Sequence, residues 1–277
     1  YVQEGASVTV VTCTLGEEGE VLVPELEHLA ADRQDRLGEH RAGEMDAAMK
    51  ELGVTDYRYL GGPGRYRDSG MALDDTGAAT ALPEVKPGTF WRADLREAAD
   101  HLVEVIREIR PQVLVTYDEF GGYGHPDHVQ AHRVATYAVA LAAVPTYRLD
   151  LGEPWDVTKV YWTAMSARRL RDGLRRLRDS GDTTTFEGMD PDGPLPRFAV
   201  EDELITAAVD GNAYVERKLA AMRAHATQIA VDGPFFALSN NIGNEAWGTE
   251  FYRLVKGSVG PRDPETGWEP DLFAGLV

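Results

Sequence analysis

Short apolar runs alternate with longer amphipathic stretches along the first 165 residues. Residues 6–14, "ASVTVVTCT", are rich in valine and threonine and read as a buried strand. Residues 25–51 read as one long amphipathic helix, with Leu26, Leu29, Leu37, Met45, Ala48 and Leu52 near helical spacing and Gly53 ending it. A short strand follows at 57–60 and runs into "GGPGRYRDSG", a glycine-rich loop expected on the surface. Residues 90–110 read as a second helix, whose stripe is Leu95, Ala98, Ala99, Leu102, Val105, Ile106 and Ile109, stopped by Pro111. "VLVTY" at 113–117 is continuously apolar, the kind of strand buried on both faces of a parallel sheet. A helix over 126–143 and a strand over 157–165 complete this part.

Strand and helix alternating in this way predict an α/β fold: a Rossmann-like, doubly wound, mostly parallel sheet over residues 1–165. Residues 166–277 are expected to form a smaller C-terminal α/β lobe that completes the pocket, with a strand at 203–210, a helix over 212–225 capped by Asn212, and a late strand "EFYRLV". The six arginines of 168–178 read as a solvated helix face. Residues 1–4 look like the last turn of a helix with Gly5 as its cap. A βαβ unit puts a strand before such a helix, so one is expected ahead of Tyr1.

Charge narrows the partners. Acidic residues outnumber basic ones 46 to 28, a formal charge of −18, so neither nucleic acid nor an anionic membrane is the expected partner. A small-molecule substrate is. No run of 18 apolar residues is present to span a bilayer. The single cysteine, Cys13, excludes an internal disulfide, fits the cytoplasm and reads as an inert strand residue.

The densest chemistry lies in "GGYGHPDHVQAH" at 121–132, which holds three of the seven histidines. Pro126 fits a first helical turn, so His125 lies at the helix start, His128 in its first turn and His132 one turn on. His128 can point into the crevice beyond the strand ends, where α/β sheets bind ligands, and His125 can reach it from the loop. Asp127 can hydrogen-bond a His125 ring nitrogen and fix its tautomer. The bland alternative is that these histidines only cap the helix. Read alone, the loop supplies part of a catalytic zinc site, which takes three protein ligands and a water. Asp118, Glu17 or His132 could complete it within the chain.

"VVTCTLGEEGE", "YLGGPGRYRDSGM", "VTYDEFGGYGHPDH", "AHATQ" and "ALSNN", in that order along the chain, resemble the zinc-dependent N-acetylglucosamine deacetylases. Within that family they are most similar to the branch acting on N-acetylglucosaminyl-inositol in mycothiol biosynthesis. The resemblance implies one zinc ion per subunit, with ferrous iron as the alternative metal. It implies His128 as a metal ligand, the two others being the histidine and second aspartate of a His-Pro-Asp-Asp motif that follows the strand expected ahead of Tyr1. It implies His125 as the oxyanion-stabilising acid, Asp127 as its orienting carboxylate and Tyr123 as an aid at the oxyanion. Glu20, Arg41, Asp68, Met71 and Asn241 match substrate-contacting positions. Taken singly, Glu20 reads as a solvated charge, Arg41 as half of an intrahelical ion pair, Asp68 as a turn residue and Met71 as a core filler. Hydrolysis of mycothiol S-conjugates by the sibling amidase, and sugar binding without turnover, are the competing expectations.

Overall fold

The computed structural model describes residues 1–75, 78–181, 189–230 and 248–276. The chain opens on a 3-10 turn, Val2–Glu4, capped by Gly5 in the left-handed conformation at φ 89°. β1 (Thr9–Thr12) pairs in parallel with β2 (Asp56–Tyr59), Thr9 opposite Asp56. Between them α1 spans Leu37–Leu52 and ends at left-handed Gly53. The single helix expected over 25–51 is therefore broken. A 3-10 segment, Pro24–Leu29, comes first. The amides of Asp35 and Arg36 then turn back to the Ala30 and Leu29 carbonyls, and Asp35 takes φ 54°, which separates the two pieces.

β3 (Ala72–Leu73) and β4 (Ala79–Thr80) form a small antiparallel ladder. α2 (Leu95–Ile109) starts later than the pattern suggested, because Asp94 caps it by accepting from the Glu97 amide. Its buried stripe includes Val103 as well as Ala98, Ala99 and Ile106. β5 (Val113–Thr116), α3 (Pro126–Ala142) and β6 (Lys159–Ser166) follow. Then come α4 (Ala167–Asp179), β7 (Ala199–Val200), β8 (Ala207–Asp210), α5 (Val215–Ala224) and β9 (Thr249–Lys256). Asn212 does not cap α5. Its amide and side chain both bond Asp210, and a 3-10 turn, Asn212–Tyr214, leads into the helix.

β6 pairs in parallel with β5 and β7 and antiparallel with β9, which pairs antiparallel with β8. α2 and α3 back both sheets: Val103, Ile106, Ala138 and Ala142 pack on Leu114, while Ala98 and Val134 pack with Val11 and Cys13. On α1 and α5, Ala48, Met49 and Ala221 pack on Val10 and Tyr57. Successive strand residues face opposite ways, so Val10 and Val11 place helices on both faces of the parallel pair. That is the doubly wound arrangement.

β5 is less buried than its apolar run suggested, with Val115 43% exposed. Among the described residues it pairs only with β6, and an edge strand is covered less than a central one. The glycine-rich loop is not wholly superficial either. Tyr66, Asp68, Ser69 and Gly70 are buried. On α4, Arg168 and Arg175 pair with Asp202 and Asp192, and Arg171 bonds the carbonyls of Pro191 and Gly193. Among the described residues no helix is long and apolar enough to cross a membrane.

Candidate active site at the strand ends

The loops after β1, β2 and β5 meet through hydrogen bonds. Asp68 donates its amide to Glu17 Oε2 at 2.9 Å, and Ser69 donates its amide to Asp127 Oδ2 at 2.9 Å. The turn that presents these two amides closes on itself, with Gly70 N–H donating to Asp68 Oδ1 at 2.9 Å. Parallel strands deliver their loops to one edge, so residues far apart in sequence converge there.

α3 begins at this edge. His125 is its N-cap: the Nδ1 atom accepts from the Asp127 amide at 3.1 Å. The expected bond from the Asp127 carboxylate to the His125 ring is replaced by this backbone one. With Nδ1 an acceptor, the neutral ring carries its proton on Nε2, which lies 3.9 Å from Asp68 Oδ1. Burial holds the His125 pKa below the ordinary range, and the Asp68 charge opposes it. The Asp127 carboxylate instead takes two donors from Ser69, the amide and the hydroxyl, the latter at 2.5 Å. Burial, with the nearby Asp68 adding to it, raises the Asp127 carboxyl to about 7 even so.

His128 lies flat on Tyr117, centroids 4.2 Å apart, and edge-on to Tyr123 at 5.0 Å. Its Nδ1 is 3.2 Å from the Gly121 carbonyl, which as an acceptor requires the proton there and leaves Nε2 a free lone pair. Burial and the neighbouring His125 lower its pKa to about 4, so the ring is neutral at physiological pH. Gly121 (φ 67°) is fixed by this packing, since a Cβ there would sit 2.8 Å from the His128 Cβ and 2.6 Å from the Val129 nitrogen. His132 is not at the centre: its Nδ1 meets the Tyr117 carbonyl and its ring packs on Trp162. Asp118 accepts the amides of Phe120 and Gly122 and thereby shapes the loop.

Asp68, His125 and Asp127 each offer a ligand atom within 4.8 Å of the others and could hold a metal ion. Imidazole and carboxylate donors suit zinc, and the free Nε2 of His128 is the form an imidazole ligand takes. His128 is not part of that three-residue group, which draws in Asp68, expected from the sequence at the substrate instead.

The remaining expected contacts divide. Tyr123 is half exposed beside His125 and His128. It also forms one wall of a cavity of about 370 Å³ with Trp91, Phe120, Val129 and Arg197. Arg41 is buried, but its guanidinium bonds the carbonyls of Gly16 and Glu20 and the Thr227 hydroxyl rather than an intrahelical carboxylate. It thereby shapes the loop that carries Glu20. A Cβ at Gly19 would collide with this guanidinium. Glu20 itself is exposed, in a groove with Glu18, Arg33 and Lys86. Met71 is exposed, not a core filler. Asn240 and Asn241 lie outside the described residues.

Two residues here carry no weight in the sequence reading: Ser69 holds Asp127, and Thr227 bonds Glu44 through both its amide and its hydroxyl at 2.7 Å. Glu17, a candidate ligand in that reading, receives the Asp68 amide. Serine in a turn and threonine after a helix are ordinary residues. Only their distant partners distinguish them.

Residues 1–139 match the family model described as PIG-L: GlcNAc-PI de-N-acetylase. The 1D-myo-inositol 2-acetamido-2-deoxy-alpha-D-glucopyranoside deacetylase of Nocardioides sp. is 68% identical over 276 residues, covering 100% of this chain and 91% of that protein. The protein of the same name from Kribbella flavida is 67% identical, covering 100% and 90%. In fold, the chain is similar to N,N'-diacetylchitobiose deacetylase from Pyrococcus horikoshii, with TM-score 0.57, 20% identity, and coverage of 92% of this chain and 75% of that one. It is also similar to a conserved protein from Thermus thermophilus, with TM-score 0.52, 20% identity, and coverage of 95% and 87%. The matched family segment takes in β1, β2, β5 and the start of α3, so the strand-end centre lies within it, and the chain belongs to the PIG-L family of GlcNAc-PI de-N-acetylases.

Proposed function

We propose that the chain hydrolyses the acetamide of N-acetylglucosaminyl-inositol, releasing acetate and the free amine, as a step of mycothiol biosynthesis. One observation carries this: 68% identity, over the whole chain, to a relative named for that deacetylation. The reading places the reaction in the cytoplasm, on a small molecule.

His128 would hold the metal through Nε2; zinc, with ferrous iron as the alternative, is among the ions an imidazole suits. Bound there, the metal would supply polarisation of the amide carbonyl and a more acidic water. The protein's own groups do the rest. His125, with Nε2 free to donate, stabilises the oxyanion. Asp68, 3.9 Å from that nitrogen, favours the charged ring: the Nε2 proton passes to the leaving amine, and the second proton goes to Nδ1 once that atom is released from the Asp127 amide. Asp127 orients the start of α3, and Tyr123 adds a donor beside both histidines. Glu20, Asp68 and Met71 contact the sugar and cyclitol hydroxyls or rings, while Arg41 supports the Glu20 loop. The second lobe, residues 166–277, closes the pocket, with Asn241 as its substrate contact.

Incubating the metal-loaded protein with N-acetylglucosaminyl-inositol and, separately, with a bulky thiol conjugate of the acylated pseudodisaccharide tests the reading. Faster amine release from the acetylated substrate is expected. Faster cleavage of the conjugate would make it an amidase, and binding without release would make it a sugar-binding protein.

A further inference from the structure

Ser69 has an unusual set of bonds for a turn serine. It is 2% exposed. Its amide donates to Asp127 Oδ2 at 2.9 Å, and its hydroxyl donates to Asp127 Oδ1 at 2.5 Å. The hydroxyl also accepts the Trp91 amide at 2.9 Å. That last bond occupies a lone pair of the oxygen and so directs the hydroxyl proton to the carboxylate. One residue thus holds both oxygens of Asp127, and a carboxylate gripped at both oxygens cannot rotate.

The grip is itself fixed. The turn is tied to Glu17 through the Asp68 amide and to itself through Gly70. Asp127 is also the residue whose amide His125 caps. Its carboxylate is therefore locked from the β2 side, and its backbone is locked to the His125 ring. A carboxylate free to swing would loosen the first turn of α3, which carries both His125 and His128.

We propose that Ser69 is a positioning residue for the hydrolysis: by holding both Asp127 oxygens it sets the orientation of that carboxylate and, through the first turn of α3, of the His125 ring. The inference rests on the reading that Asp127 and His125 serve the reaction. Buried partners of this kind, which orient the groups that meet metal or substrate, cost about 10- to 100-fold in activity or metal affinity when lost.

The test is a cycle of Ser69→Ala, Asp127→Asn and the double variant in the metal-loaded enzyme. It measures kcat and KM for amine release from N-acetylglucosaminyl-inositol, bound metal per chain and the thermal midpoint. Ser69→Ala is expected to lower kcat about 10- to 100-fold with KM little changed. Ser69→Thr, which keeps the hydroxyl, is expected to restore most of it. The double variant is expected to be no slower than Asp127→Asn alone, because Ser69 then has nothing to act through. If Ser69→Ala unfolds, Ser69→Cys, close in size but a weak donor, takes its place in the cycle. Losses that multiply in the double variant, or wild-type kcat in Ser69→Ala beside an impaired Asp127→Asn, overturn the proposal and leave the functional reading standing. Wild-type turnover in Asp127→Asn itself overturns that reading and the proposal with it.

Discussion

His128 is stacked on Tyr117 with ring planes 9° apart, and its Nδ1 faces the Gly121 carbonyl at 3.2 Å. Two neighbours thus fix one imidazole in plane and in tautomer, and the lone pair left over points away from both. Gly121 makes the arrangement possible, since its left-handed backbone brings the loop against the first turn of α3. Gly121→Ala is expected to displace His128 and weaken metal binding about 10- to 100-fold. Titration against a chelator of known affinity reads this, and unchanged affinity would show that His128 does not hold the ion.

A second relationship concerns stability alone. Lys159 Nζ meets Glu269 Oε1 at 2.6 Å, and the Tyr161 hydroxyl donates to Glu269 Oε2 at 2.9 Å, with lysine and glutamate both buried. This network fastens the C-terminal segment to β6, far from the histidine loop. Glu269→Ala strands a buried ammonium and is expected to cost about 3–5 kcal/mol in urea unfolding. Replacing both partners, as Lys159→Met with Glu269→Leu, is expected to recover most of that loss. A single-variant cost of only a few tenths would mean that the pair is solvated.

Two opposed groups at the centre contribute to the pH response of the metal-free protein. An unfolded imidazole takes its proton near 6.5, whereas His128 takes it only near 4, so acidification between these values favours the unfolded chain. Asp127 runs the other way: its folded carboxyl is protonated from about 7 downward and its unfolded one only near 3.8, so the same acidification favours the folded chain. His125, whose pKa burial also lowers, adds to the His128 side in the wild type. Asp127→Asn removes one side, and this variant is expected to lose on the order of 1–2 kcal/mol more than wild type between pH 7 and pH 5. Equal losses in variant and wild type, read from denaturant titrations at pH 7 and pH 5, would show that the Asp127 shift is absent.

Cys13 gives a simpler readout. Burial, with Asp127 adding to it, pushes its thiol up to about 12. Thiol reagents need the thiolate. Alkylation at pH 8 is expected to be at least about 100-fold slower in the folded protein than in urea. Comparable rates would mean that the thiol is open to solvent.

The parts of this fold written in local pattern were legible in the sequence. β1, β5 and α3 appear where apolar period and caps put them, α2 does so apart from its start at the Asp94 cap, and the edge at which their loops meet follows from parallel topology. Breaks that depend on one backbone angle were not legible, such as left-handed Asp35 between Leu29 and α1. Nor were side chains whose role is set by distant partners. Arg41 reads as a helix-surface charge until the Gly16 and Glu20 carbonyls are placed against it, and Ser69 reads as turn chemistry until Asp127 arrives from α3. The His125 tautomer is a local case: the sequence offers a carboxylate as its partner, whereas the helix start supplies a backbone amide.

Where the metal sits decides between the two arrangements of this centre. A crystal of the zinc-loaded protein, with anomalous data at the zinc edge, would locate it. A peak is expected about 2.0–2.1 Å from His128 Nε2, with His125 off the metal and facing the substrate crevice. A peak coordinated by Asp68, His125 and Asp127, with His128 unligated, would contradict the proposed mechanism and turn its acid and orienting carboxylate into ligands.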